Sequence, residues 1–307
     1  MNNYKDLKIK QESNHRESFA KMVANDKTAN YLDVENTHGW SRNYPLYKVE
    51  KFFRHIAPSE VITIGDGKGG HEAQIIKQFG NKAIATDIAT EILEVAKKRN
   101  LIDDFAKEDA ENLSFADNSV DYCFIKESLH HLPRPYLCIY EMLRVAQKGI
   151  ILIEPNGDRS YQIGKEQYES SGNYKYQFTL KELVQCAACL GFNHVAYGYS
   201  PNIHYILNCL CFKQEFPEKW ANKETRPKPM ELAGKLMPCS IKYGDKFQQS
   251  KPGFEKAIDE WYKSHEPQVN PLLIFMIFKN EISPQLQNVL KECDFEIPDI
   301  KPNPYTD

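Results

Sequence analysis

The chain has 307 residues, with 39 Lys and Arg against 42 Asp and Glu, a net charge of −3 and eight cysteines. That length buries a substantial core, as one elaborated domain or two, and the charge balance gives no global basic footprint for nucleic acid. The longest wholly apolar run, Leu272 to Phe278, falls far short of the roughly 20 residues that span a bilayer.

Residues 1 to about 30 are polar and poor in large apolar side chains, so a helix with frayed ends is the most they promise. The opening Met1 to Asp6 has no apolar h-region, so a cytoplasmic chain is expected. His38 to Pro45 is aromatic and punctuated by Gly and Pro, a loop packed on the core or a lid over a ligand. Lys48 to Ile56 places Val49, Phe52, Phe53 and Ile56 at i, i+3, i+4, i+7 spacing, an amphipathic helix ended by Pro58. Arg42, Lys48, Lys51 and Arg54 read as the wet face of that helix rather than a basic patch.

Val61 to Ile64 is a short β-branched run that breaks into Gly65-Asp66-Gly67-Lys68-Gly69-Gly70, and a helical pattern from His71 to Phe79 follows. Strand, tight turn and helix in that order suit a nucleotide-type ligand. Glycines let the backbone approach closely, and the helix N-terminus offers free N–H groups. The loop fits neither G-x-G-x-x-G nor the P-loop pattern, which disfavours a dehydrogenase. Lys82 to Thr86 reads as a second strand ended by Asp87, 18 positions after Gly69, where a carboxylate accepts from the two hydroxyls of a ribose. A helix over Thr90 to Arg99 leads to a short strand near Phe105 to Glu108 and to Asp109, placed to accept from an adenine amine. A fourth strand, Ser119 to Ile125, precedes Lys126-Glu127-Ser128-Leu129-His130-His131-Leu132-Pro133. Alternating strands and helices from 61 to 192 imply a parallel sheet with helices on both faces.

Taken in order, the glycine loop, Asp87, the run Asp109 to Asp121, Leu129-His130-His131-Leu132, Glu141 to Val145, Gly149 to Pro155 and Phe178 to Phe192 resemble the class I S-adenosylmethionine-dependent methyltransferases (the methyltransferase-11-like group). The resemblance covers about Val61 to Phe192, with a last strand at Leu272 to Phe278. It implies an α/β, Rossmann-like, doubly wound seven-stranded sheet, mostly parallel with the last strand antiparallel, carrying a helical cap insertion. It further implies that Ile64, Gly65, Asp66, Gly67 and Gly69 pass under the methionine part of S-adenosyl-L-methionine. Asp87, with Ile88 beside it, would bind the ribose; Asp109, Ala110 and Glu111 would meet the adenine; Lys126 would sit near the transferable methyl. One departure stands out: the family usually has an acid two residues before the first glycine, where this chain has Thr63. Asp66 or a water is the expected substitute in holding the cofactor's amino group.

Methyl transfer to a hydroxyl needs a positioned base, and His is the natural one near neutral pH. His131 or His130 is the candidate, with Glu127, four residues before His131, expected on the same helical face as its orienting partner. Family members often carry this His-His pair for packing and loop hydrogen bonds, which is the alternative role. Cys186, Cys189, Cys209 and Cys211 could form a metal site, but a buried packing role suits them better, and no metal is expected. The expected divisions are an N-terminal helical or lid segment (1–57), the cofactor-binding core (58–200), a cap insertion (201–270), and the last strand with its tail (271–307). The tyrosines Tyr161, Tyr168, Tyr174 and Tyr176 suit a polar acceptor such as a sugar or nucleotide-sugar, and the run Lys126 to Pro135 resembles methyltransferases of surface-carbohydrate synthesis. A lipid, quinone or macromolecule is the alternative acceptor, and a non-catalytic cofactor-binding partner protein the alternative class. A small-molecule substrate is expected, without nucleic acid or a membrane span; a homo-oligomer is compatible with the sequence.

Overall fold

The computed structural model describes residues 4–24, 32–157, 168–169, 172–228, 232, 247–264, 269 and 271–302. A long helix, α1 (Tyr4–Ala24), comes first, followed by α2 (Thr37–Lys48) and α3 (Glu50–Ile56). Strand β1 (Glu60–Ile64), α4 (His71–Gln78), β2 (Lys82–Asp87), α5 (Glu91–Lys98) and β3 (Asp104–Lys107) follow. Next are β4 (Val120–Lys126), a 3₁₀ turn (Leu129–His131), α6 (Pro135–Val145), β5 (Ala146–Pro155), α7 (Leu180–Cys189) and β6 (His194–Ser200). Then come α8 (Ile203–Glu215), α9 (Pro217–Ala221), α10 (Phe247–Lys263), β7 (Leu272–Phe278) and α11 (Pro284–Glu292).

The strands form one seven-stranded sheet in the order β3-β2-β1-β4-β5-β7-β6. The first five strands in that order are parallel, while β7 runs antiparallel to both β5 and β6. Helices cover both faces, so the strands are buried on both sides and read as continuous apolar runs. In β7, Leu272, Ile274, Met276 and Phe278 enter the core shared with α3, α4 and α5. Leu273, Phe275 and Ile277 enter the core shared with α6 and α7. A third, smaller cluster joins Trp40 of α2 to Ile203, Ile206 and Leu207 of α8, Trp220 of α9 and Trp261 of α10. This cluster fixes the segment after β6 against the segment before β1.

Local chemistry sets the helix starts. Thr179 and Glu182 form a reciprocal capping box on α7, Ser283 caps α11 and Asn36 caps α2. The segment His38 to Pro45, expected as a loop, lies inside α2: Asn36 starts that helix from upstream, and Pro45 is accommodated within it. Instead of one helix over 48–56, Val49 ends α2 and begins α3. The amino-terminal segment is a docked helix rather than a frayed one. Only Gln11 and Phe19 of α1 are buried, and polar contacts fasten the rest to the ends of the strands. Among the described residues, no helix is long and apolar enough to cross a membrane.

Candidate functional site

A cavity of about 360 Å³ opens at the carboxyl ends of β1, β2, β3 and β4, where an open α/β sheet binds its ligands. Ile64, Gly65, Asp66, Gly67, Asp87, Ile88, Asp109, Ala110, Glu111, Lys126, Glu127 and His131 all line it. Gly69 and His130 do not border it.

The turn after β1 is built for close approach. Gly65 has φ +73, and its carbonyl accepts from Ser128 Oγ at 3.0 Å. A Cβ on Gly67 would lie 2.4 Å from Asp87 Cγ, so the glycine is required there. Asp87 in turn clamps the loop, accepting from Gly67 N at 2.9 Å and Ala89 N at 2.8 Å. Burial pushes its carboxyl up to about 6, against the pull of these backbone donors.

Asp66 does not stand free for a ligand's amino group. It accepts from Glu72 N and Ala73 N at 3.3 and 3.0 Å, so it caps α4, and Thr63 Oγ1 donates to it at 2.8 Å. Thr63 is fully buried. The acid facing the cavity beside the loop is Glu72, 3.1 Å from Lys126 Nζ. Burial alone would raise Glu72; the Lys126 ammonium and a hydrogen bond with Asp66 hold it down at about 2. Burial and the Glu72 charge raise the Asp66 carboxyl well above the usual carboxylate range.

Glu127 follows β4 with φ +48, a left-handed backbone that a non-glycine residue adopts at a cost. Its carboxylate lies 3.4 Å from Lys126 Nζ. The expected pairing of Glu127 with His131 is therefore corrected. The left-handed residue breaks the helical continuity that would have stacked the two side chains. Glu169, from the segment between β5 and α7, hydrogen-bonds His131 Nδ1 instead. His130 Nδ1 is bonded at 2.5 Å to Glu154, which is almost wholly buried. Burial would lower the His130 imidazole, but the Glu154 charge and hydrogen bond raise it. Glu154 also accepts from Ser128 N and Leu129 N at 3.1 and 2.8 Å, which fixes the turn after β4.

At the opposite end, Asp109 accepts from Glu111 N at 3.0 Å and is ion-paired with Lys8 of α1. Glu111 binds Arg134 N at 2.7 Å and the Tyr4 hydroxyl. Gln11 donates to the His131 carbonyl at 2.9 Å, and Phe19 borders the cavity beside Gly67. Helix α1 thus crosses the cavity from Asp109 to Gly67.

Arg42 also lines the cavity, which corrects its reading as part of a wet face. Lys48, Lys51 and Arg54 do face outward, paired with Asp294, Glu292 and Glu50. The sequence reading missed Lys8, Arg42, Lys68, Glu72, Glu154 and Glu169. Only the i, i+3, i+4 spacing of Lys68, His71 and Glu72 across the α4 start carried a local signal. Tyr176 packs on Tyr136 and Phe178 rather than on the cavity, and among the described residues no tyrosine lines it. Tyr161 lies outside the described residues. Cys186 is half-buried, Cys189 exposed, and Cys209 and Cys211 buried; among the described residues, no His/Cys/Asp/Glu group is disposed to hold a metal ion.

The glycine cradle that a Cβ would fill, beside the buried Asp87 carboxylate, suits the ribose and methionine parts of S-adenosylmethionine. Residues 62–153 match the family described as a methyltransferase domain. Over those residues the chain carries a methyltransferase domain. The chain is 31% identical over 140 residues to a ubiquinone/menaquinone biosynthesis C-methyltransferase of Bdellovibrio bacteriovorus, covering 44% of this chain and 57% of that one. It is 27% identical over 139 residues to a malonyl-[acyl-carrier protein] O-methyltransferase of Pectobacterium atrosepticum, covering 44% of this chain and 54% of that one. Its fold resembles phosphoethanolamine N-methyltransferase 2 of Haemonchus contortus, solved with phosphomonomethylethanolamine and S-adenosylhomocysteine. The TM-score is 0.53 at 16% identity, over 83% of this chain and 57% of the nematode one. The chain thus spans little more than half the length of these relatives.

Proposed function

We propose that this chain moves the methyl group of S-adenosylmethionine to a hydroxyl or amine of a polar small molecule. The observation that supports it is the single cavity uniting the glycine loop, Asp87, Asp109, Lys126 and His131. S-adenosylmethionine, when bound, supplies an activated sulfonium methyl. Asp87 accepts from the ribose hydroxyls, and Asp109, Ala110 and Glu111 meet the adenine once Lys8 yields Asp109. The backbone of Gly65 and Gly67 runs beneath the methionine part, with Lys126 near it. Held through Nδ1 by Glu169, His131 keeps Nε2 as the nitrogen that takes the acceptor's proton. His130, turned to Glu154 and away from the cavity, serves the turn.

Residues 58–200 and 271–307 carry the cofactor in this reading. Residues 201–270 and α2 shape the acceptor side, while α1 lies over the cofactor end at Asp109, Glu111 and Gly67. The charged side chains Arg42, Lys68, Lys126 and Glu127 on the cavity wall favour a polar acceptor over a quinone or lipid tail. A sugar or nucleotide-sugar is the narrower proposal, and the packing of Tyr176 takes away part of its stacking argument.

The test is calorimetric titration with S-adenosylmethionine, with Asp87→Ala as control. Transfer of radiolabelled methyl is then followed to sugars, nucleotide-sugars, small amines, quinones and lipids. Binding abolished by the control, followed by labelling of a polar acceptor, is expected. Labelling of quinone or lipid alone would refute the acceptor class; absence of cofactor binding would refute the reading altogether.

A further inference from the structure

A second, smaller cavity of about 70 Å³ lies beside the first, between α2, the turn after β4 and the start of α8. Its polar walls are Ser41, Arg42, Glu127, Asn202, His204 and Tyr205. Arg42 and Glu127 line both cavities, so the two share a boundary. The space suffices for a small charged or polar group.

The walls are already ordered. Ser41 Oγ lies 3.1 Å from His204 Nδ1, and both residues are buried. Asn208 Nδ2 donates to the His204 carbonyl at 2.7 Å. Glu127 holds its place with the left-handed backbone noted above. Arg42, by contrast, makes no hydrogen bond or ion pair with any described residue. Lys68, on the glycine loop, likewise has none. The Arg42 charge acts on Lys68, Lys126, His71 and Glu127, which places it among them. Glu72 and Glu127 both pair with Lys126, and the charges of Glu127 and Asp87 reach Lys68. A guanidinium at a cavity wall that no carboxylate holds in an ion pair is disposed to take an anion in bidentate fashion.

We propose that the smaller cavity is an anion subsite, in which Arg42 holds a carboxylate or phosphate of the methyl acceptor. The acceptor's nucleophile then lies in the larger cavity, beside Glu127 and Lys126. Identifying the anion's bearer as the acceptor rests on the methyltransferase reading; the anion site itself does not. The cofactor's own carboxylate is the other source of the same chemistry, and the experiment separates them.

Inorganic phosphate and malonate are titrated by calorimetry into the protein, alone and saturated with S-adenosylhomocysteine. The variants are Arg42→Gln, Glu127→Gln and, as control, Lys51→Gln, each checked for folding by its thermal melt. Anion binding is expected in both states. Arg42→Gln should weaken it about tenfold or more while leaving S-adenosylhomocysteine affinity within about twofold. Glu127→Gln should tighten anion binding several-fold, because a like charge has been removed; this arm decides the matter if Arg42→Gln does not fold. Anion binding absent in both states, or indifferent to Arg42 and Glu127, would overturn the proposal. So would phosphate displaced by S-adenosylhomocysteine together with lost affinity for it in Arg42→Gln, since the cation would then serve the cofactor. If S-adenosylhomocysteine does not bind at all, the methyltransferase reading fails, and the titration of the protein alone still decides the anion site.

Discussion

Lys8 and Asp109, 101 positions apart, are joined as an ion pair that fastens the first helix across the mouth of the cavity. The same helix reaches Glu111 through Tyr4 and the His131 carbonyl through Gln11. Two further pairs, Arg16 with Glu91 and Lys107 with Glu12, lie along its wetter side. A cofactor that needs Asp109 has to compete with α1 for it.

Loosening of α1 follows from that competition. Partly exposed ion pairs are each worth about 1 kcal/mol or less and are screened by salt. Lys8→Gln should therefore speed amide exchange in residues 4–24 several-fold and leave β1 and β4 unchanged. High salt should do the same to the native protein. Exchange in α1 that ignores both would mean its apolar contacts alone hold it.

Cofactor affinity should depend on pH through Asp87. Its folded carboxyl sits at about 6, above the ordinary carboxylate range. The stability it lends at low pH is lost as pH rises through that value. Ribose recognition has the opposite sign, because the hydroxyls need the ionised form as acceptor. S-adenosylmethionine affinity should fall about tenfold per pH unit below about 6, and Asp87→Asn should bind weakly with a flat profile. Calorimetry between pH 5 and 8 reads both.

Turnover should pass through His131 and its Glu169 partner. His131→Gln is expected to slow methyl transfer by about 10²-fold or more with cofactor affinity unchanged. Glu169→Gln should cost less, since the imidazole stays and only the group that orients it is removed. Single-turnover transfer to the acceptor found in the label screen measures both.

Glu154→Ala should destabilise the whole fold. It strips the turn after β4 of the acceptor for Ser128 N, Leu129 N and His130. Breaking a buried pair costs about 3–5 kcal/mol. The His130 imidazole is raised in the fold. The pair's contribution is thus complete below the unfolded histidine value and fades as pH rises through the folded one. Urea unfolding at pH 6 and pH 9 should show a larger difference from the native protein at the lower pH.

The strands were legible because each carries its own evidence. Leu272 to Phe278 is apolar at every position and was placed end to end, and the turn at Gly65 to Gly70 announces itself by residue type. Helix α1 offered no such pattern. It has no apolar stripe, and what docks it are contacts to Asp109, Glu111 and His131 about a hundred positions away. Arg42 was obscured because the helix break at Val49 separates it from Lys51 and Arg54, and six residues of α2 put it on a different face from Lys48. The partner of His131 could not be found nearby, since Glu169 arrives from beyond β5 and the left-handed Glu127 spoils the local spacing.

Ser200, the last residue of β6, pairs in register with Leu272, the first of β7. The long excursion between them therefore departs from the sheet and returns to it one strand apart. A segment whose two ends are held that close can be lengthened, shortened or exchanged at little entropic cost. Under the proposed function the acceptor side would be a graftable module: a different excursion spliced between residues 200 and 272 would meet an unchanged sheet, provided it also covers Trp40 of α2.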